Sequence, residues 1–303
     1  MADATIYGTV DQAYQSKKTT TAASTSKTTS IAGTWNGGSA IGFKAAEDLG
    51  NGMKAFAQYE FGVSADQPDT AGMENRNSFV GLSGGFGSVS IGRMYNFAFN
   101  NAIANDPMGF SGTGGYAVGY AGAGGSSRQS NMIAYTLPSI ATGVGIQVGK
   151  AMGETVTTTA APTKTNDSTS WGLTYAAGAL YVGTTGETLI TTATTKTKNS
   201  TTTITYDLGM VKVGYGLGKT ALGTTYTKGN AMSVTVPVGA LTLGYSSGDV
   251  KTNSSGTEVK TKNSEYGAMY ALSKRTNAYV QSGKVSATAT STNVYAIGVK
   301  HDF

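Results

Sequence analysis

NVYAIGVKHDF, residues 293–303, alternates without a break. Asn293, Tyr295, Ile297, Val299, His301 and Phe303 fall on one side; Val294, Ala296, Gly298, Lys300 and Asp302 fall on the other. Period two is the mark of a β-strand whose faces meet different surroundings. One face is apolar with aromatics toward its ends, and the other is small and charged. The same alternation recurs upstream. Met53, Ala55, Ala57, Tyr59 and Phe61 oppose Lys54, Phe56, Gln58 and Glu60. Val211, Val213, Tyr215 and Leu217 oppose Lys212, Gly214, Gly216 and Gly218, while Tyr266, Ala268, Tyr270 and Leu272 oppose Glu265, Gly267, Met269 and Ala271.

Composition agrees with an all-β chain. Among 303 residues there are 43 Gly and 17 Tyr, and only 13% are charged. Gly costs a helix about 1 kcal/mol relative to Ala, whereas Tyr, Val, Ile and Thr suit pleated surfaces. The 5 Pro and 0 Cys leave no disulfide framework and no thiolate metal site. The net charge of +5 is not gathered into a basic block, so no nucleic-acid tail is indicated. No run of eighteen apolar residues marks a spanning helix. The start, MADATIYG, lacks a basic region and an apolar signal core, as expected of a mature chain with an added initiator Met.

Connections alternate in length. Tight turns at 47–52, 83–87, 138–143, 176–179, 207–210, 237–240 and 273–277 are separated by longer polar stretches at 15–33, 62–75, 94–127, 153–168, 189–198, 219–230, 249–263 and 286–291. That rhythm predicts an antiparallel meander with one plain end and one elaborate end. The count is about sixteen strands of about ten residues, within the range of outer-membrane barrels. We read one domain over 1–303.

Alternation fits two architectures. In a soluble sandwich, as in an adhesin or lectin-like binding protein, the apolar faces meet in a core. In a membrane barrel they meet lipid and the polar faces line a lumen. The Gly- and Thr-rich polar face, the aromatics near strand ends and the regular loop rhythm favour the barrel. Closure beside the first strand then gives Phe303 a place in the wall and leaves no open edge.

Longer stretches resemble a known family. YALSKRTNAYV (270–280), ATIYGTVD near the start, IGFKAAEDLGNGMKAFAQYE (41–60), NRNSFVGLSGGFGSVSIGR (75–93), VTVPVGALTLGY (234–245) and the terminal YAIGVKHDF are together similar to the general porins of Gram-negative beta-proteobacteria, the neisserial and Comamonas type. The resemblance implies a sixteen-stranded antiparallel transmembrane β-barrel of the outer membrane, assembled as a homotrimer among lipid and lipopolysaccharide. It implies a third long loop folded into the lumen, and passive diffusion of small hydrophilic or anionic solutes. No cofactor, metal or nucleic acid belongs to it, and it is not an enzyme family.

The third long stretch is 94–127, the expected constriction loop. Loops of that length are either functional or disordered. Phe97, Phe99, Phe110, Tyr116 and Tyr120 give this one apolar surface to bury, and Asp106 is its single charge. Its glycines lack the strand–loop–helix setting of a phosphate cradle. Facing charges should come from the wall. Parity turns Lys44 and Arg128 inward. The resemblance implies basic residues at Arg76, Arg93 and Arg128, the first and last lining the constriction. Parity disagrees for Arg76, which shares a face with Ser78, Val80 and Leu82 unless a bulge intervenes, and for Arg93, which shares one with Ile91. Their alternative role is to anchor loops or the interface. Family members often carry Arg where this chain has Ala40 and Ala134. The remaining inward charges are Lys54, Lys212 and Lys300 against Asp11, Glu60 and Glu265, so the expected anion preference is mild. His301, the one histidine, sits on the lipid-side parity, away from any triad or metal set.

Overall fold

The computed structural model describes residues 3–303 apart from 34–37, 64–73, 109–126, 158–161, 166, 191–194 and 255. Its first half comprises β1 (Asp3–Thr21), β2 (Thr25–Ala32), β3 (Ala40–Gly50), β4 (Met53–Gly62), β5 (Glu74–Gly84), β6 (Gly87–Tyr95), the helix α1 (Phe97–Ile103), β7 (Arg128–Thr136), β8 (Val144–Ala151), β9 (Glu154–Thr157) and β10 (Pro162–Thr165). The second half is a run of hairpins: β11 (Asp167–Ala177), β12 (Leu180–Ile190), β13 (Lys196–Asp207), β14 (Lys212–Leu222), β15 (Thr225–Val238), β16 (Leu241–Ser254), β17 (Thr257–Ala271), β18 (Thr276–Ala287) and β19 (Thr290–Asp302).

All but β9 and β10 join one antiparallel sheet. β2 pairs with Ala13–Thr20 of β1 and β3 with Asp3–Thr9, so the two fill a single place beside β1. The wall therefore has sixteen strands among the described residues. It closes where β1 meets β19, from Thr9 opposite Asp302 to Thr21 opposite Thr290. Phe303 extends the seam: its N–H donates to Gly8 O at 3.0 Å, and Gly8 N–H donates to Phe303 O at 3.1 Å. The Phe303 ring covers Gly8, where a side chain would collide with it. Closure matters because each unpaired backbone group in hydrocarbon costs several kcal/mol, of order.

The faces divide as the alternation predicts. Val213, Tyr215, Leu217, Leu243, Tyr245, Tyr266, Ile297 and Val299 are exposed on the outside. Asp11, Glu60, Thr201, Thr203, Ser246, Glu265 and Gln281 are buried on the inside. No layer of apolar side chains from two stacked sheets exists among the described residues. The apolar surface points away from the sheet's interior, which excludes the sandwich.

The long-loop end differs from expectation. The polar stretches at 219–230 and 249–263 are not loops along most of their length. β14 and β15 continue to a turn at Gly223–Thr224, and β16 and β17 run on to Ser254 and from Thr257. β1 has 19 residues and β17 has 15, well beyond the ten expected. Thr-rich segments are good strand formers. Above the lipid they need no apolar face to pair, and so they carry no alternation to reveal them.

Candidate pore constriction

The chain between β6 and β7 turns into the barrel. Asn96 caps α1, its side chain accepting from Phe99 N–H at 2.7 Å. Phe97 and Ala102 are buried against the inner wall. Asn101 Nδ2 donates to Gly183 O at 3.2 Å and to Thr201 Oγ1 at 3.1 Å, while Tyr181 OH donates to Asn101 Oδ1 at 3.1 Å. Thr203 Oγ1 donates to Asn101 O at 3.1 Å, and Lys212 Nζ to Ala104 O at 2.9 Å. Ser233 donates to Asn105 Oδ1. Met108 is fully buried among Ala13, Tyr279 and Ala296. This segment thus runs along the inside of β11 to β16, and Met108 reaches on to β18, β19 and β1. Glycines make room for it: a side chain at Gly183 would strike Asn101, and one at Gly214 would strike Asn105. Residues 109–126, including Phe110, Tyr116 and Tyr120 of the expected loop, lie outside the described residues.

Three of the expected cations gather on the other side. Arg76 Nε lies 2.9 Å from Glu60 Oε1. Tyr7 OH donates to Glu60 Oε2 at 2.8 Å and accepts from Gln58 Nε2 at 2.7 Å. Lys44 Nζ sits 4.5 Å from the centre of the Tyr7 ring. Arg76 and Arg128 both donate to Tyr95 OH, at 3.3 and 2.8 Å, and the Arg128 guanidinium lies 4.5 Å from the Tyr95 ring centre. Tyr95 in turn stacks on Phe99 of α1, with centroids 4.5 Å apart. In the order Lys44–Tyr7–Glu60–Arg76–Tyr95–Arg128 every two cations are separated by a phenol, a carboxylate or both. Cation–π and hydrogen-bond contacts hold like charges side by side at a tolerable cost.

Two bulges place them. Tyr59 faces Ser78 but Phe61 faces Asn75, so β5 carries one extra residue between Asn75 and Ser78. That reverses the parity of Arg76 and brings it to Glu60. A second extra residue lies in β7, where Gly92 faces Met132 but Met94 faces Gln129. Asn131, at φ 54°, takes up the distortion. The parity that turned Arg128 inward does not survive this bulge. The residue reaches the cluster from the strand end, paired with Tyr95. Arg93 joins none of these groups: its guanidinium donates to Asn75 O at 3.0 Å and to Ser130 Oγ at 2.7 Å. Asp106, beyond α1, accepts from Met108 N–H at 3.0 Å and adjoins Asn105 over β15. In the order of the sheet, β15 stands eight strands from β5, half of the circumference.

Two further inward charges are engaged, while Lys54 is exposed. Lys300 pairs with Asp302 at 2.9 Å, and Asp11 accepts from Tyr279 OH. His301 is exposed and shares a hydrogen bond with Thr276 Oγ1 at 2.9 Å. Sequence reasoning missed Tyr7 and Tyr95, the phenols that join the cations. Alternation could place Tyr7 inward, but nothing in it identifies a neighbour across three strands.

A closed barrel with an apolar exterior, a polar interior and a loop seated on its inner wall defines a membrane β-barrel of the porin architecture. The sequence carries that assignment to a family: the Gram-negative porin profile matches residues 1–290, and the chain belongs to that family. Its place is the outer membrane. The major outer membrane protein P.IB of Neisseria meningitidis serogroup B is 42% identical over 96 residues, which are 31% of this chain and 29% of that relative. The chain therefore matches under a third of the length of that curated relative. An anion-selective porin from Comamonas acidovorans superposes with a TM-score of 0.86 at 22% identity, covering 100% of both chains. A trimer form of OmpT from Vibrio cholerae superposes with a TM-score of 0.72 at 14% identity, covering 100% of this chain and 99% of that one.

Proposed function

We propose that this chain is a passive diffusion channel for small hydrophilic solutes with a mild preference for anions. One observation carries the proposal. The inward segment is bolted to β11–β16, while Lys44, Arg76 and Arg128 stand on the facing wall with Glu60 as the acid among them. Asp106 lies on the loop side, and in this reading the lumen has cations on one side and a carboxylate across from them. Such a transverse arrangement orders water and favours carboxylated or phosphorylated solutes. Fixed charges of this kind set selectivity in pores. Their effect is modest in a wide aqueous lumen, where the dielectric constant is high and salt screens beyond about 8–10 Å. Arg93, tied to Asn75 and Ser130, serves in this reading as an anchor at the base of the loop. The assembly is a homotrimer, in keeping with the family resemblance and with the trimer form of the OmpT neighbour.

The test is the zero-current potential across a bilayer under a tenfold KCl gradient. The proposal expects a sign indicating a small excess of chloride permeability. A potential of the opposite sign overturns the anion preference.

A further inference from the structure

Tyr95 is the last residue of β6, at the point where the chain leaves the wall for α1. Its ring has two partners: Phe99 stacks on it with centroids 4.5 Å apart, and the Arg128 guanidinium lies 4.5 Å from its centre. Its oxygen accepts from Arg128 Nη2 at 2.8 Å and from Arg76 Nη2 at 3.3 Å. A phenol oxygen can accept twice and donate once. Both acceptor positions are therefore taken, and the proton must point away from the two cations. Among the described residues no acceptor meets that proton. Tyr7, the other phenol of the cluster, differs, because its proton goes to Glu60 Oε2 at 2.8 Å.

Tyr95, Arg76 and Arg128 are all partly exposed. A hydroxyl that accepts from two guanidinium groups is polarised by them and becomes the stronger donor for it. Three donor groups thus converge, two of them planar forks and the third a hydroxyl set between them. A guanidinium fork matches the oxygens of a carboxylate or phosphate. One oxygen of such a group takes an arginine N–H while another takes the phenol proton. A halide has no second acceptor atom to reach the phenol while it lies against a fork. Lys44 lies over Tyr7, and Arg93 donates to Asn75 O and Ser130 Oγ, so neither shares this point.

We propose that Tyr95 is a specificity-determining residue, which with Arg76 and Arg128 makes the channel favour oxyanions over halides of the same charge. Fixed charges alone act alike on acetate and chloride, since Coulomb attraction depends on charge and distance. The hydroxyl between the two arginines separates them by shape and by number of acceptor atoms. Phe99 is a positioning residue here, because its stack fixes the phenol ring to α1, and α1 is in turn tied to β12 and β13 through Asn101. The inference rests on the anion-preferring channel proposed above and adds a choice among anions to it.

The refolded full chain is placed in a planar bilayer with potassium chloride on one side and potassium acetate at equal concentration on the other. The zero-current potential gives the acetate-to-chloride permeability ratio. Expected of the parent is a ratio about twofold above that of the free ions' mobilities, a modest factor because the lumen is wide and wet. Y95F keeps the ring on Phe99 and beside Arg128 but lacks the hydroxyl, and its ratio should fall to that of the mobilities. R128K keeps the charge, loses the planar fork and should fall in the same direction. Neither substitution removes a charge, so a fall reports hydrogen-bond geometry and not net charge. Y245F, on the outer face, should match the parent. Discrete conductance steps show that each barrel has folded and inserted. A parent ratio no higher than that of the mobilities overturns the proposal. So does a parental ratio in both Y95F and R128K, or an equal fall in Y245F. The sign of the potential under a KCl gradient, read separately, tests the anion preference itself, so failure of that reading and failure of this one are told apart.

Discussion

At the scale of single residues, Arg76 is the informative position. Its sequence parity pointed to lipid, and a single extra residue in β5 turns it to Glu60 instead. Alternation is legible only while the ladder is regular, and a bulge leaves no signature in residue types that a single sequence displays. Periodicity alone could not show that direction. Arg128 teaches the converse, since its predicted direction was reached through a register that the Asn131 bulge breaks. Arg76→Gln removes a cation and leaves Glu60, largely enclosed, without its ionic partner. The expected outcome is a fall in anion preference, together with a loss of about 1–3 kcal/mol in stability, the usual cost of stranding a buried polar group. The companion E60Q/R76Q should regain most of the stability, because both charges go together. Reversal potential and denaturant unfolding of the refolded barrel separate the two effects. If R76Q leaves the potential where it was, Arg76 does not set selectivity.

At the level of elements, the loop and the long hairpins differ in how much of their course the residue pattern carries. The inward segment was legible as a long stretch with apolar side chains to bury, but its track was not. Asn101 and Asn105 lie against Gly183 and Gly214, on strands about 80 and about 110 residues later in the chain. A pairing across that separation has no local signal. The protruding hairpins look like loops in the sequence because alternation of apolar and polar residues fades where no lipid is present to demand it. Asn101→Ala removes donors and acceptors that join α1 to β12 and β13, and Gly214→Leu forces the segment off the wall at Asn105. Both variants should fold, since the barrel seam is untouched. Both should alter single-channel conductance and increase current noise, the second more than the first. Conductance traces matching the parent for Gly214→Leu would show that the segment does not define the narrow section.

At the scale of the whole molecule, sixteen strands, outward apolar faces and closure of the last strand on the first were all readable in advance. They follow from one physical demand: every backbone polar group in hydrocarbon must find a partner, so the sheet must close. NVYAIGVKHDF displays that demand in miniature. Its Tyr295, Ile297 and Val299 are exposed on the outside, its Ala296 and Lys300 are buried within, and Phe303 is bonded across the seam to Gly8. This closed wall surrounds an open aqueous path. Single-channel recording in a planar bilayer tests it most directly. Insertion of the refolded chain should raise the current in discrete steps of uniform size, with conductance proportional to bulk KCl conductivity. A barrel that inserts yet leaves the bilayer electrically silent would contradict the account.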